Sequence, residues 1–194
     1  MKILLIETAL TENSTTKLMS HKFIEFYKEN HPDVEVIEWD INKTKIGKIS
    51  LNSENFATFW KDVEADKYIK ELKTVDKIVF SAPVINIHYS ANAKNFFDTI
   101  CLADKTFSYK YSKKGEAIGL LDNIQNVQIL ASQGFSERVK ILNKMQDTIA
   151  GTWKFLGAKN VQPTITLFSA KNFASKDQAL KSVEDQLKKA ALTF

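Results

Sequence analysis

Two stretches of this chain, residues 2–8 (KILLIET) and 77–82 (KIVFSA), are nearly unbroken apolar runs of Ile, Leu, Val and Phe. Runs of that length and composition suit strands covered on both faces, the condition of a central strand in a parallel sheet. Three further segments, residues 34–39, 127–132 and 161–168, read as strands by their content of Val, Ile and Leu. Helical periodicities separate them. Met19, Phe23, Phe26 and Tyr27 fall at i, i+4, i+7 and i+8 after the first strand, and Ala93, Phe96, Phe97, Ile100 and Cys101 draw a shorter stripe after the third. Leu142, Met145, Ile149, Trp153 and Leu156 follow the fourth strand, and Leu180, Val183, Leu187 and Ala191 form a C-terminal helix. Between residues 52 and 72 the phase slips, because Phe56, Phe59, Trp60 and Val63 share one stripe while Ala65, Tyr68, Ile69 and Leu72 share another. A break near Glu64 is expected.

Strands alternating with helices predict an α/β three-layer sandwich with right-handed crossovers. Five strands suit a parallel sheet in the order 2-1-3-4-5. Pro163 removes a backbone donor from the fifth strand, which an edge position tolerates. No repeat, low-complexity tract or Pro/Gly-rich linker divides the sequence, so residues 1–194 read as one domain. In such sheets ligands bind beyond the carboxyl ends of the strands, at the switch in chain direction between strands one and three. Function is therefore expected after Thr8, Ala82 and Ser132.

Composition removes several classes. Hydrophobic residues make up 44% and charged residues 26%, which excludes a disordered or fibrous chain. The apolar opening ends at Glu7, too short for a signal-peptide core, and no segment reaches the length of a membrane span. A cytoplasmic location without membrane attachment is expected. Net charge is +4, but Arg138 is the single arginine and the lysines, including the group Lys110, Lys113 and Lys114, are interspersed with acids. That is a solvated surface, not a nucleic-acid footprint. Cys101 has no second cysteine for a disulfide or a CxxC pair and reads as a core thiol.

Three loops could carry chemistry. After strand one, Ser14, Thr15 and Thr16 precede Lys17 at a helix start, where unpaired N–H groups and the positive dipole end favour an anion. A capping box would place Glu or Gln where Lys17 stands, so no acid of that turn takes the anion position. Ser14 as a plain helix cap and the loop as a phosphate site are both open readings. No glycine precedes Gly47, which excludes a P-loop and a GxGxxG dinucleotide fingerprint here. After strand three come Pro83, Val84, Ile85, Asn86, Ile87 and His88. Asn86 can donate and accept at once, as the edge of a planar heterocycle requires, and can equally satisfy its own turn. His88 has no ligand-type neighbour and reads as a polar loop histidine. After strand four, Ser132, Gln133, Gly134 and Phe135 offer close backbone approach and a ring to stack, or a plain turn.

Taken together, these stretches resemble the FMN-dependent NADH azoreductase and quinone reductase family, historically also called acyl carrier protein phosphodiesterase. The resemblance is carried by the opening strand with Thr8 and Ser14-Thr15-Thr16, by residues 82–87 (APVINI), and by 94–98 (KNFFD). It continues through 106–109 (TFSY), 132–134 (SQG) and 155–157 (FLG), in order and spacing from residue 1 to about 168.

This resemblance implies a flavodoxin-like homodimer holding one FMN per subunit, with NADH or NADPH as cosubstrate and a quinone or azo compound as acceptor in a two-step exchange. It implies Thr8, Ser14, Thr15 and Thr16 at the FMN phosphate, and Pro83, Val84, Ile85, Asn86 and Ile87 along the isoalloxazine. Ser132, Gln133, Gly134 and Phe135 would meet its edge, and Asn86 would act in catalysis. Where family members often carry aromatics beside the loop asparagine, this chain has Ile85 and Ile87; where they often carry a second glycine and a histidine, it has Phe135 and Glu137. Phe56, Phe59, Trp60, Phe107 and Phe135 are candidates to supply the missing ring. Two other classes compete. A one-electron flavodoxin-type carrier would ordinarily be strongly acidic. A phosphodiesterase acting on acyl carrier protein would need a metal cluster or an activated nucleophile, and neither is visible.

Overall fold

The computed structural model describes residues 1–110, 115–138 and 144–194. Its centre is a parallel sheet built from β1 (Lys2–Glu7), β2 (Glu35–Asp40), β3 (Lys77–Ile85) and β7 (Asn126–Ser132), with β8 (Asn160–Val161) and β9 (Ile165–Leu167) both pairing β7. In spatial order the strands run β2-β1-β3-β7-β8, the switch-point order expected. The sheet has more than five strands, for two physical reasons. Pro163 and its neighbours interrupt the fifth strand, so it pairs β7 as two short pieces. The side chain of Gln128, fully buried beside that gap, donates to the carbonyls of Pro163 (3.1 Å) and Ile129 (2.9 Å), capping backbone acceptors near the gap. In addition β3 runs three residues past the expected end at Ala82 and folds back through β4 (His88–Tyr89) as a hairpin.

Period-two alternation along β1 divides the core. Ile3 and Leu5 pack with Met19 and Phe23 of α1 (Thr15–Asn30) and with Leu187 of α7 (Glu184–Thr193). Leu4 and Ile6 pack on the other face against α3 (Ala65–Leu72), α4 (Ala91–Ile100) and α5 (Met145–Leu156). All four β1 residues are essentially inaccessible, and burying each stabilises the fold by about 1.5–3 kcal/mol. The helix break falls at Glu64, where φ is 58° between α2 (Phe59–Asp62) and α3. The C-terminal periodicity is likewise two helices, α6 (Lys176–Lys181) and α7, because the chain turns at Ser182 and Val183. A small antiparallel pair of β5 (Phe107–Ser108) and β6 (Ile118–Gly119) lies against the end of α5, where a Cβ on Gly119 would stand 2.2 Å from Gly157 N. Leu142, Lys113 and Lys114, singled out in the sequence, lie outside the described residues.

Candidate functional site

The carboxyl ends of β1, β3 and β7 are tied together by hydroxyl groups. Thr8 Oγ1 donates to the Ser81 carbonyl (2.7 Å), and Ser90 Oγ donates to the Thr8 carbonyl (2.7 Å) while accepting from Ala93 N–H (3.2 Å) as the cap of α4. Thr16 Oγ1 and Ser132 Oγ share a 2.5 Å hydrogen bond that joins the first loop to the fourth-strand loop. Asn42 Nδ2 holds the Ala9 carbonyl (2.6 Å), and Asn92 Nδ2 holds Asn42 Oδ1 (2.8 Å). Each of these polar groups is matched, so the loops keep one relative arrangement.

Within this frame α1 begins with Ser14 as N-cap, its Oγ accepting from Thr16 N–H at 3.2 Å, and no acidic side chain stands in the first turn. The dipole end therefore faces outward without an internal counter-anion. Thr8 and Thr16 are fully buried and brace the loop, whereas Ser14 and Thr15 keep partial exposure. Lys176, from α6, donates to the Asn13 carbonyl and brings a cation to the rim of the same loop.

The loop after β3 is shaped differently. Val84 pairs Tyr89 and Ile85 pairs His88, which leaves Asn86 (φ 48°) and Ile87 (φ 70°) as a two-residue turn with both centres left-handed. Ordinary sequences place Asn-Gly there, and a β-branched residue at positive φ is strained. Ile85, Asn86 and Ile87 are exposed at the carboxyl edge, Val84 is half-buried and Pro83 buried. His88 stays with its own loop, where Nδ1 accepts from Tyr89 N–H at 3.0 Å. Across the opening, Ser132 and Gln133 are buried, with Gln133 N–H on the Leu167 carbonyl (2.9 Å) and Ala170 N–H on the Gln133 carbonyl (2.9 Å). Gly134 and Phe135 are half-buried. A Cβ on Gly134 would meet the aliphatic stem of Lys171 at 3.1 Å, so the close neighbour of that glycine is a flexible side chain.

Among the titrating groups, burial pushes the Glu7 carboxyl up, despite hydroxyl contacts and the nearby His21 and Lys17. Burial works against the Lys17 ammonium, but Glu38 (3.3 Å) and Asp40 (3.8 Å) outweigh it and hold its pKa above the usual lysine range. The Cys101 thiol is pushed up to about 11 by burial and by Asp98, so it is inert as a nucleophile at neutral pH. It is half-buried at the end of α4, where the sequence suggested full burial. Among the described residues no group of three or more His, Cys, Asp or Glu could hold a metal ion.

Residues 1–191 match the family model described as a flavodoxin-like fold. The chain belongs to this flavodoxin-like family. It is 40% identical to the FMN-dependent NADH:quinone oxidoreductase of Mycoplasmopsis pulmonis over 198 residues, covering 100% of this chain and 99% of that protein. It is 46% identical over 162 residues to the protein of the same name from Mycoplasma mobile, covering 81% and 79%. An azoreductase from Bacillus anthracis superposes with a TM-score of 0.81 at 22% identity, over 100% of this chain and 99% of that one. An FMN-dependent NADH-azoreductase of the same organism, crystallised with FMN, superposes at 0.79 with 15% identity over 100% and 99%. At these identities the structural likeness shows the flavodoxin-like fold alone.

Several residues that shape this flavodoxin-like site were missed by sequence reasoning. Ser90 carried a readable signal, since Ser before an Ala-Asn-Ala helix start is an N-cap pattern. Asn42, Asn92, Lys171 and Lys176 carried none, because each reaches the loops across a long sequence separation.

Proposed function

We propose that this chain binds FMN at the carboxyl edge of its sheet and reduces quinones, and azo compounds, with electrons from NADH or NADPH. The observation that carries the reading is the start of α1, capped by Ser14 and free of acid in its first turn, set beside the exposed Ile85-Asn86-Ile87 turn. The donor set suits a phosphate monoester: helix N–H groups with the Ser14 and Thr15 hydroxyls, braced by Thr8 and Thr16. Pro83, Val84, Ile85 and Ile87 would give the ring system its apolar wall, and Gly134 and Phe135 the opposite rim. FMN, when bound, supplies the two-electron chemistry.

The protein's own residues then have three tasks. The first loop holds the phosphate. The Asn86 side chain, exposed on a fixed turn, is placed to hydrogen-bond the polar edge of a heterocycle, where a donor would stabilise charge developing on reduction. The apolar side chains exclude water and leave one flat approach. NADH and acceptor would use it in turn, giving ping-pong kinetics.

The proteins named FMN-dependent NADH:quinone oxidoreductase, 40% identical over the full chain, support the same activity here. Purified protein should be yellow and should oxidise NADH when a quinone is supplied, with parallel double-reciprocal plots. A colourless protein that hydrolyses a phosphodiester would overturn the reading, and a yellow protein inert to NADH would point to an electron carrier. A homodimer is part of this proposal: Phe56, edge-on to Trp60 at 5.7 Å, is 63% exposed and Tyr109 is 60% exposed, whereas Phe59 is core. Light scattering at micromolar concentration should give twice the chain's mass. A cytoplasmic site of action fits a chain in which no described helix is long and apolar enough to cross a membrane.

A further inference from the structure

Beneath the first loop, on the α1 face of the sheet, lies a polar layer that the proposed chemistry leaves unused. Glu7 ends β1 with 1% of its surface exposed and stands in register with Ser81 of β3. Ser20 of α1 reaches over it, and Thr16 with Ser132 closes the layer toward the loop. Below it the same face is the apolar core of Leu5, Val79 and Leu130.

The hydrogens of this layer can be counted. Ser20 Oγ is hydrogen-bonded to Glu7 Oε1 and lies 2.9 Å from the Lys17 carbonyl. A hydroxyl has one proton to give, and neither a carbonyl nor a carboxylate has any. Ser20 therefore serves both acceptors at once only when the proton between it and Glu7 is brought by Glu7. The second oxygen, Oε2, is buried with no hydrogen-bond partner, and so is the neighbouring Ser81 Oγ. The Ser20 and Ser81 hydroxyls face the carboxyl but offset the cost of burying its ionised form only in part, and protonation removes that cost.

The surrounding charges do not compensate an anion here. Lys17 and His21 of α1 face Glu7, but Lys17 is shared by Glu38 and Asp40, and His21 lies 3.2 Å from Glu38. Lys43 pairs with Asp40 at 3.5 Å, Glu12 adds a negative charge from the first loop, and β3 and β7 contribute only Ser81 and Ser132. Lys176 is held on the Asn13 carbonyl at the rim.

We propose that Glu7 is a positioning residue beneath the flavin phosphate whose proton is linked to it: loading the phosphate draws a further fraction of a proton onto Glu7. This inference rests on placing the FMN phosphate at the start of α1. Ser20 is the sixth residue of that helix, so at 1.5 Å per residue the carboxyl lies on the order of 10 Å beneath the phosphate position. Across a buried interior a dianion at that range favours the neutral acid. Flavin affinity is then linked to Glu7: it falls as pH rises from the carboxyl's value in the empty protein to its higher value in the loaded one.

The test is calorimetric titration of FMN into apoprotein at pH 5, 6, 7 and 8, in two buffers of different ionisation enthalpy at each pH, for wild type and Glu7→Gln. The second ionisation of the phosphate is common to both proteins, so the difference between them reports the proton on Glu7. Within the linked window wild type should take up a fraction of a proton more than Glu7→Gln. Wild-type affinity should fall relative to the variant as pH rises through the linked window, and the ratio between the two should be flat outside it. A purely structural role for Glu7 would instead weaken the variant equally at every pH and leave its proton uptake unchanged, which would overturn the proposal. Should Glu7→Gln not fold, the infrared difference spectrum of wild type on adding FMN serves: a gain in the protonated-carboxyl C=O band supports the inference, and no gain overturns it. Riboflavin, which lacks the phosphate, should give no uptake. Equal affinity for FMN and riboflavin would remove the phosphate reading itself, and this inference with it, whereas tight FMN-selective binding without proton uptake removes the inference alone.

Discussion

The loop after β1 and the loop after β3 meet at one edge of the sheet, yet they are held in opposite ways. The first is relaxed: Ser14 sits in the extended region, caps α1 through Thr16 N–H, and is anchored below by Thr8 and Thr16. The second is strained, with Asn86 and Ile87 both at positive φ and Ile87 β-branched as well. Such backbone costs on the order of 1–3 kcal/mol and persists where surrounding structure fixes it. Here the fixing structure is a two-pair ladder, Val84 on Tyr89 and Ile85 on His88. On the proposed placement of FMN, the two loops meet the two halves of one ligand by different means. An anion needs only the donors that a helix start exposes, whereas a flat ring needs apolar side chains thrust out on a tight turn.

The largest effect should come from the relaxed loop. Replacing Thr8, Ser14 and Thr16 together by alanine removes two buried cross-loop hydrogen bonds and the helix cap. With the loop no longer held in its binding arrangement, the cost of restoring it, about 1 kcal/mol for each lost bond and about 3 kcal/mol in all, falls on FMN binding as some two orders of magnitude in affinity. Fluorescence titration of FMN, with far-UV circular dichroism to confirm folding, measures it. Unchanged affinity would show that the phosphate does not sit on this loop.

A smaller effect of opposite sign is expected from the strained loop. Ile87→Gly relieves a β-branched residue at φ 70° and should raise apoprotein stability by about 1 kcal/mol, a Tm gain of about 2–4 °C for a chain of this size. The same change deletes an exposed apolar side chain from the proposed ring wall and should weaken flavin binding several-fold. A variant that loses stability would mean that the Ile87 side chain supports the fold, and the contrast between the loops would collapse.

How much of this was legible follows the range of the interactions involved. The apolar runs of β1 and β3 gave their central, doubly covered positions, and the phase slip at Glu64 marked a left-handed residue between α2 and α3. Both are local patterns. Pro163 signalled a missing donor, but not that the strand would split, since the split depends on Gln128 reaching across from β7. At the site, the Ser14 cap was readable from neighbouring residues. The turn at Asn86 and Ile87 was not, because its dihedrals contradict the propensity of isoleucine and are set by the hairpin. Glu7 looked like the polar end of a strand, and only its register with Ser81 and the approach of Ser20 show it to be buried.

The smallest effect concerns the floor beneath the relaxed loop, in protein without flavin. Burial raises the folded-state Glu7 pKa above 4.5, so between 4.5 and the raised value the folded state holds a proton that the unfolded state lacks. Stability contributed by Glu7 is therefore complete below that window and falls as pH rises through it, by about 1.4 kcal/mol for each pH unit that the window spans. Asp40, on the far side of Lys17, has the opposite sign: Asn42 and Lys17 outweigh its burial and hold its carboxyl below 3.8. Its contribution is present at neutral pH and is lost only as pH falls through its folded-state value. The two carboxyls thus act in separate windows and can be told apart in one experiment. Urea denaturation of apoprotein at pH 5, 6, 7 and 8 should show wild type losing stability relative to Glu7→Gln as pH rises, while Asp40→Asn shifts stability by a constant amount over that range. Parallel curves for wild type and Glu7→Gln would mean that Glu7 ionises freely in the fold, and the floor would then offer the relaxed loop no more than packing.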